Sequence, residues 1–79
     1  MTNYEKMLEL TGDTATKEQV KSWAYMNRVT VSEMCYDKPF ECMEKSVDVF
    51  SESDKYELGG NEHENWDRFL ECEYVEVAG

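Results

Sequence analysis

The feature that most restricts this chain is the lopsided placement of its charge. Residues 41–79 hold twelve carboxylates: Glu41, Glu44, Asp48, Glu52, Asp54, Glu57, Glu62, Glu64, Asp67, Glu71, Glu73 and Glu76. Only Lys45, Lys55 and Arg68 oppose them there. Residues 1–40 are nearly balanced, with six acids against five bases. Almost all of the net charge of −10 therefore lies in one half. Charged groups are rarely buried unless paired, so any fold of the second half must turn many carboxylates outward. Its apolar residues must then share the inner side.

The apolar spacing shows how. Phe40, Met43, Val47 and Phe50 recur at helical intervals and predict a helix over 39–53, opening at Pro39. On that helix Glu41, Glu44, Asp48 and Glu52 form an acidic ridge on a neighbouring face. Cys42 and Val49 form a small apolar spot on another side. Asn61 with Glu64 has the spacing of a capping box, and Trp66, Phe69 and Leu70 give a compact apolar face. These predict a helix over 62–72, with Glu64, Asp67 and Glu71 as a second ridge. Glu73 would fall on the Trp66/Phe69 face, so the helix is expected to fray near Cys72. Residues 54–61, with Gly59-Gly60, read as a loop. Residues 74–77 alternate and read as a short extended tail, for which Val29-Thr30-Val31 is a possible partner strand.

The first half is also helical in pattern. Thr2 or Asn3 can cap a helix over 2–11 carrying Tyr4, Met7, Leu8 and Thr11 on one face, with Gly12 as its stop. Thr16 and Gln19 make a capping box for the next helix. Val20, Trp23, Ala24, Asn27, Val31, Met34 and Cys35 mark one stripe, while Lys21, Ser22, Tyr25 and Arg28 lie off it. Two readings fit: a continuous helix 17–36, or a helix 17–27, a break and a second piece. The continuous helix is preferred, although the β-branched run at 29–31 weakens it. Asn27 would then need a hydrogen-bonding partner inside the stripe. The expectation is one all-α domain over 1–79, a compact bundle of about four helices.

Several chemistries are disfavoured. The charge opposes direct nucleic-acid binding, which rests on Lys and Arg, and opposes anionic membranes. A helix-turn-helix reading of 17–36 and 39–53 fails on its recognition helix, where four acids would face phosphates. Cys35, Cys42 and Cys72 lack the close pairing of a structural zinc site and read as small reduced hydrophobes in a cytoplasmic protein. His63, the only histidine, reads as solvated. No calcium loop or phosphate-binding glycine loop occurs. The start, Met-Thr-Asn-Tyr-Glu-Lys, has no signal peptide character, and no apolar run approaches the roughly 20 residues of a bilayer span. No cofactor and no enzymatic activity are expected.

The ridges carry the functional reading. Helical carboxylates at such intervals repeat about every 5 Å, from a rise of about 1.5 Å per residue. A DNA strand places a phosphate about every 3.4 Å. The ridges are sparser than a DNA strand but comparable in scale, so the faces could mimic nucleic acid toward a basic protein. The expected partner contacts are Glu41, Glu44, Asp48, Glu52, Asp54, Tyr56, Glu57, Glu64, Asp67 and Glu71, with Tyr56 as an aromatic anchor.

The opening six residues resemble the starts of small phage and prophage proteins of Gram-positive bacteria. Size, acidity and the Trp/Tyr-rich helical pattern are similar to phage-encoded anti-CRISPR proteins. That resemblance implies an inhibitor acting in the host cytoplasm on a basic nucleic-acid-binding protein of the CRISPR effector type. The alternative is a phage structural or regulatory protein acting through an apolar patch, as a homodimer at Cys42 and Val49.

Overall fold

The structure is a computed structural model and describes residues 1–12, 14–53 and 61–76. It is all-α, with no strand among the described residues. Four α-helices run Asn3–Thr11 (α1), Lys17–Met26 (α2), Glu44–Ser51 (α3) and Glu62–Glu71 (α4). Two 3₁₀ segments, Val31–Tyr36 and Phe40–Met43, lie between α2 and α3.

Local chemistry sets most helix starts. Thr2 Oγ1 accepts from the Glu5 N–H at 3.2 Å and the Glu5 carboxylate accepts from the Thr2 N–H at 2.9 Å, closing a capping box. Thr16 and Gln19 repeat that exchange at 3.2 and 2.8 Å. Both satisfy backbone donors that a helix start leaves free. Asn61 Oδ1 caps α4 by accepting the His63 N–H at 2.9 Å. Gly12 ends α1 at φ 68°, a left-handed conformation that suits glycine.

α4 is the centre of the packing. It lies against α1, α2 and the first 3₁₀ segment, while α3 packs on both 3₁₀ segments. Phe69 has no exposed surface and stands edge-on to Phe50 and Trp66, with ring centroids 5.5 and 5.8 Å apart. Around it gather Met7, Val20, Ala24, Val31, Met34, Phe40, Met43, Val47 and Leu70. The expected stripes Phe40/Met43/Val47/Phe50 and Trp66/Phe69/Leu70 are all buried. Edge-to-face ring pairs of this kind add about 0.5–1.5 kcal/mol beyond their buried area.

The continuous helix 17–36 is not formed. α2 ends at Met26, and Arg28 turns left-handed at φ 55°. The Val29 N–H reaches back to the Ala24 carbonyl at 2.8 Å and the Arg28 N–H to that of Tyr25 at 3.2 Å. This is a Schellman closure with arginine where glycine is usual. Asn27 is exposed, outside the stripe, and its amide donates to the Trp23 carbonyl at 2.8 Å. α4 holds the break from the other side. Trp66 Nε1 donates to the Val29 carbonyl at 3.0 Å, and Glu62 accepts the Val31 N–H at 3.2 Å. Thr30 then caps the 3₁₀ segment by accepting the Glu33 N–H at 3.3 Å. The expected helix 39–53 likewise begins as the 3₁₀ turn Phe40–Met43 before α3. The peptide bond Lys38–Pro39 ahead of it is cis.

The tail is extended after Cys72, where α4 stops. Among the described residues it bridges antiparallel to the N-terminus, Glu73 opposite Thr2, and no bridge joins it to residues 29–31. The Asn3 N–H donates to the Cys72 carbonyl and the Tyr74 N–H to that of Met1, each at 2.8 Å. The Val75 N–H donates to Ser46 Oγ at 2.6 Å, tying the tail to α3. Val77 and the loop at 54–60 lie outside the described residues.

Candidate functional site

The first ridge assembles on the outer side of α3. Met43, Ser46, Val47 and Phe50 face the core, which turns Glu44, Asp48 and Glu52 to solvent. Glu41 precedes them on the 3₁₀ turn. Residues three apart eclipse in 3₁₀ geometry, so Glu41 aligns with Glu44, and Asp48 and Glu52 follow at helical steps of four. All four are exposed, and among the described residues none takes part in an ion pair. Lys45, also exposed, makes none with them either.

This arrangement works against the helix that carries it. Like charges four residues apart cost a few tenths of a kcal/mol, about 0.2–0.5 per pair, and two such pairs occur, Glu44/Asp48 and Asp48/Glu52. Glu52 is the residue capping the C-terminus of α3, where the helix dipole disfavours negative charge. Beneath the ridge lies Cys35. Burial pushes its thiol above the usual cysteine range, and the charges of Glu44 and Asp48 push the same way. Of the three free cysteines, Cys35 is buried, Cys42 exposed and Cys72 half-buried.

The second ridge is less free than its sequence pattern implies. Glu64 pairs with Arg68 at 3.4 Å. Asp67 Oδ1 lies 2.5 Å from Lys21 Nζ, whose side chain is only 6% exposed. Glu18 completes that cluster at 2.7 Å from the same ammonium. Lys21 thus belongs inside the α2–α4 contact, not on the outer face expected for it. Its pKa is raised, first by the hydrogen bond to Asp67 and then by that to Glu18. Among the three acids of this ridge, Glu71 alone makes no ion pair among the described residues. Asp54, Tyr56 and Glu57 lie outside the described residues.

Other candidate chemistry stays dispersed. His63 is exposed at the start of α4. Among the described residues, no group of three His, Cys, Asp or Glu side chains could hold a metal ion. No helix among them is long and apolar enough to cross a membrane. Cys42 and Val49 both reach the surface, and the Cys42 carbonyl accepts the Tyr74 hydroxyl at 3.3 Å. The residues that sequence reasoning missed are structural: Lys21 as an inter-helix tie, and Glu62 as the acceptor that holds Val31. Neither has a local pattern that could reveal it, because each partner lies more than thirty positions away. Comparison with known proteins found no matching family model, no matching curated protein and no matching solved structure.

Proposed function

We propose that the protein is a non-enzymatic, stoichiometric inhibitor that docks on the basic nucleic-acid-binding surface of another protein. A host defence effector of the CRISPR type is the partner class proposed. Glu41, Glu44, Asp48 and Glu52 carry the contact and exclude DNA or RNA from that surface. One observation supports the reading most: these four carboxylates, on α3 and the turns at its two ends, are all exposed, with no ion pair among the described residues. They also weaken the helix that bears them, through like-charge neighbours and an acid at its C-terminal cap. Asp67 and Glu64, held by Lys21 and Arg68, contribute less than the sequence pattern implies.

The test is inhibition of DNA cleavage by purified RNA-guided nucleases, with protein titrated against enzyme. Inhibition that reaches completion near one equivalent is expected. It should weaken steeply between about 0.05 and 0.5 M salt, because exposed charges are screened over that range. Reversing Glu44, Asp48 and Glu52 together to Lys should abolish inhibition and leave the helical spectrum intact. Full inhibition by a folded triple variant would refute the reading.

A further inference from the structure

We propose that the cavity between α1, α2 and the turn at Lys38–Pro39 binds a small amphipathic carboxylate, one anionic head on an apolar body of about six to ten carbons. This goes beyond the inhibitory reading and does not rest on it.

The site is apolar and reaches the core. The cavity has a volume of about 520 Å³, and Met7, Val20, Trp23, Pro39 and Phe40 line it. Small-molecule sites commonly measure about 300–1,000 Å³ and are mostly apolar, with a few placed polar groups. Met7, Val20 and Phe40 are buried members of the core, so the core itself is the floor. Trp23 is half-buried and stands edge-on to Phe40, with ring centroids 5.7 Å apart, which fixes one wall. A ligand seated here would gain about fourfold in affinity for each methylene taken from water.

Three polar side chains at the cavity offer donors. Lys38 and Gln19 line it together with Trp23. Lys38 is exposed and makes no ion pair among the described residues. Gln19 accepts the Thr16 N–H through its side-chain oxygen at 2.8 Å, so what it can offer a ligand is its amide N–H. The Trp23 indole can only donate. Gln19 and Trp23 stand one turn apart on α2 and share a face.

The local charge selects an anion. Among the described residues no carboxylate lines this cavity. Neighbouring cavities each include an acid: Glu33 and Asp37 beside Tyr36, Glu62 beside Trp66, and Glu18 beside Met26. Lys38 also borders the first of these, yet pairs with neither Glu33 nor Asp37. A lysine at an apolar cavity with no fixed counter-charge suits a ligand that brings its own carboxylate. A cationic amphiphile would meet Lys38 as a like charge. The net charge of −10 draws cations to the chain as a whole, so a preference for the carboxylate can come only from the site.

Octanoate, hexanoate, octanol and octylammonium are the probes, titrated into isotopically labelled full chain at about pH 7.5, where the carboxylates are ionised. The indole N–H resonance of Trp23, told from that of Trp66 by its loss in Trp23→Phe, reads occupancy. Octanoate should shift it with a dissociation constant of about 0.1–2 mM. Hexanoate, two methylenes shorter, should bind about tenfold more weakly. Octylammonium should bind at least about fivefold more weakly than octanoate at low salt. Lys38→Met, at an exposed position, should leave the circular dichroism and octanol binding unchanged and weaken octanoate at least about threefold. A Trp23 resonance unmoved by about 20 mM octanoate overturns the proposal. So does octylammonium bound as tightly as octanoate. Octanoate bound equally by Lys38→Met and the parent also overturns it, marking a groove for apolar groups alone.

Discussion

Lys21 Nζ lies 2.5 Å from Asp67 Oδ1 across the contact between α2 and α4, with the lysine side chain 94% removed from solvent. The pair joins two residues 46 positions apart. It ties one acid of the surface ridge, itself still exposed, to a buried lysine. A base whose pKa is raised by folding contributes its full stability below the unfolded value and loses it as pH rises through the folded value. The ordinary value for this lysine is 10.5, so its contribution should fade above about pH 10.5. Lys6, raised by its bond to Glu9, and Tyr74, raised by burial, act with the same sign. Lys21→Met should therefore show a shallower alkaline loss than the parent when unfolding midpoints are compared from about pH 8 to 12. Parallel curves would contradict the role given to this ammonium. Asp67→Asn, which leaves the lysine with Glu18 alone, should lower the midpoint at pH 7 more than Glu71→Gln does.

Arg28 occupies a glycine conformation, so Arg28→Gly should stabilise the fold. Relief of the left-handed strain, about 1–2 kcal/mol, exceeds the added chain entropy of glycine, about 0.5–1 kcal/mol. A net gain of up to about 1 kcal/mol should raise the melting temperature by several degrees, about 4–8 °C per kcal/mol for a domain of this size. Arg28→Val should lower it, because a β-branched side chain fits that region worse. Thermal melts in dilute solution separate the three proteins.

Asn3 provides a third test. Thr2 serves as the cap, which leaves the Asn3 side chain to turn inward, where it is buried and donates to the Phe69 carbonyl at 2.9 Å. Asn3→Ala should cost about 1–2 kcal/mol in urea unfolding, from the lost bond and a small void. Asn3→Ser should not restore it, since the shorter side chain cannot reach Phe69. A cost no larger than that of an exposed substitution would show the bond to be unimportant.

The cysteines should separate by reactivity. Burial and the overlying Glu44 and Asp48 disfavour the Cys35 thiolate, which is the reactive form. At pH 8 a thiol reagent should label exposed Cys42 first and Cys35 last, with mass spectrometry of digested protein giving the order. Cys42→Ser should remove the fast phase. Early labelling of Cys35 in folded protein would contradict its place under the ridge.

The amino-acid order by itself determined the class of fold and most of its elements. Capping boxes at Thr2/Glu5 and Thr16/Gln19, and apolar stripes at 40/43/47/50 and 66/69/70, are local patterns that the backbone reads within a turn or two. The outward direction of Glu41, Glu44, Asp48 and Glu52 follows from the same periodicity, so the first acidic face was legible in advance. Only the tertiary structure decided the rest. The break after Met26 has no glycine or proline to announce it, and Trp66 and Glu62 of α4 hold its far side. Residues 72–74 pair with residues 1–3 beside α4, a meeting no local pattern encodes. Lys21 is buried against Asp67, which pairs a charge of the second ridge that periodicity had placed on the surface and that stays exposed there. Short-range hydrogen bonding and apolar spacing act along the chain. Ion pairs and caps between distant segments depend on which helices come to lie together.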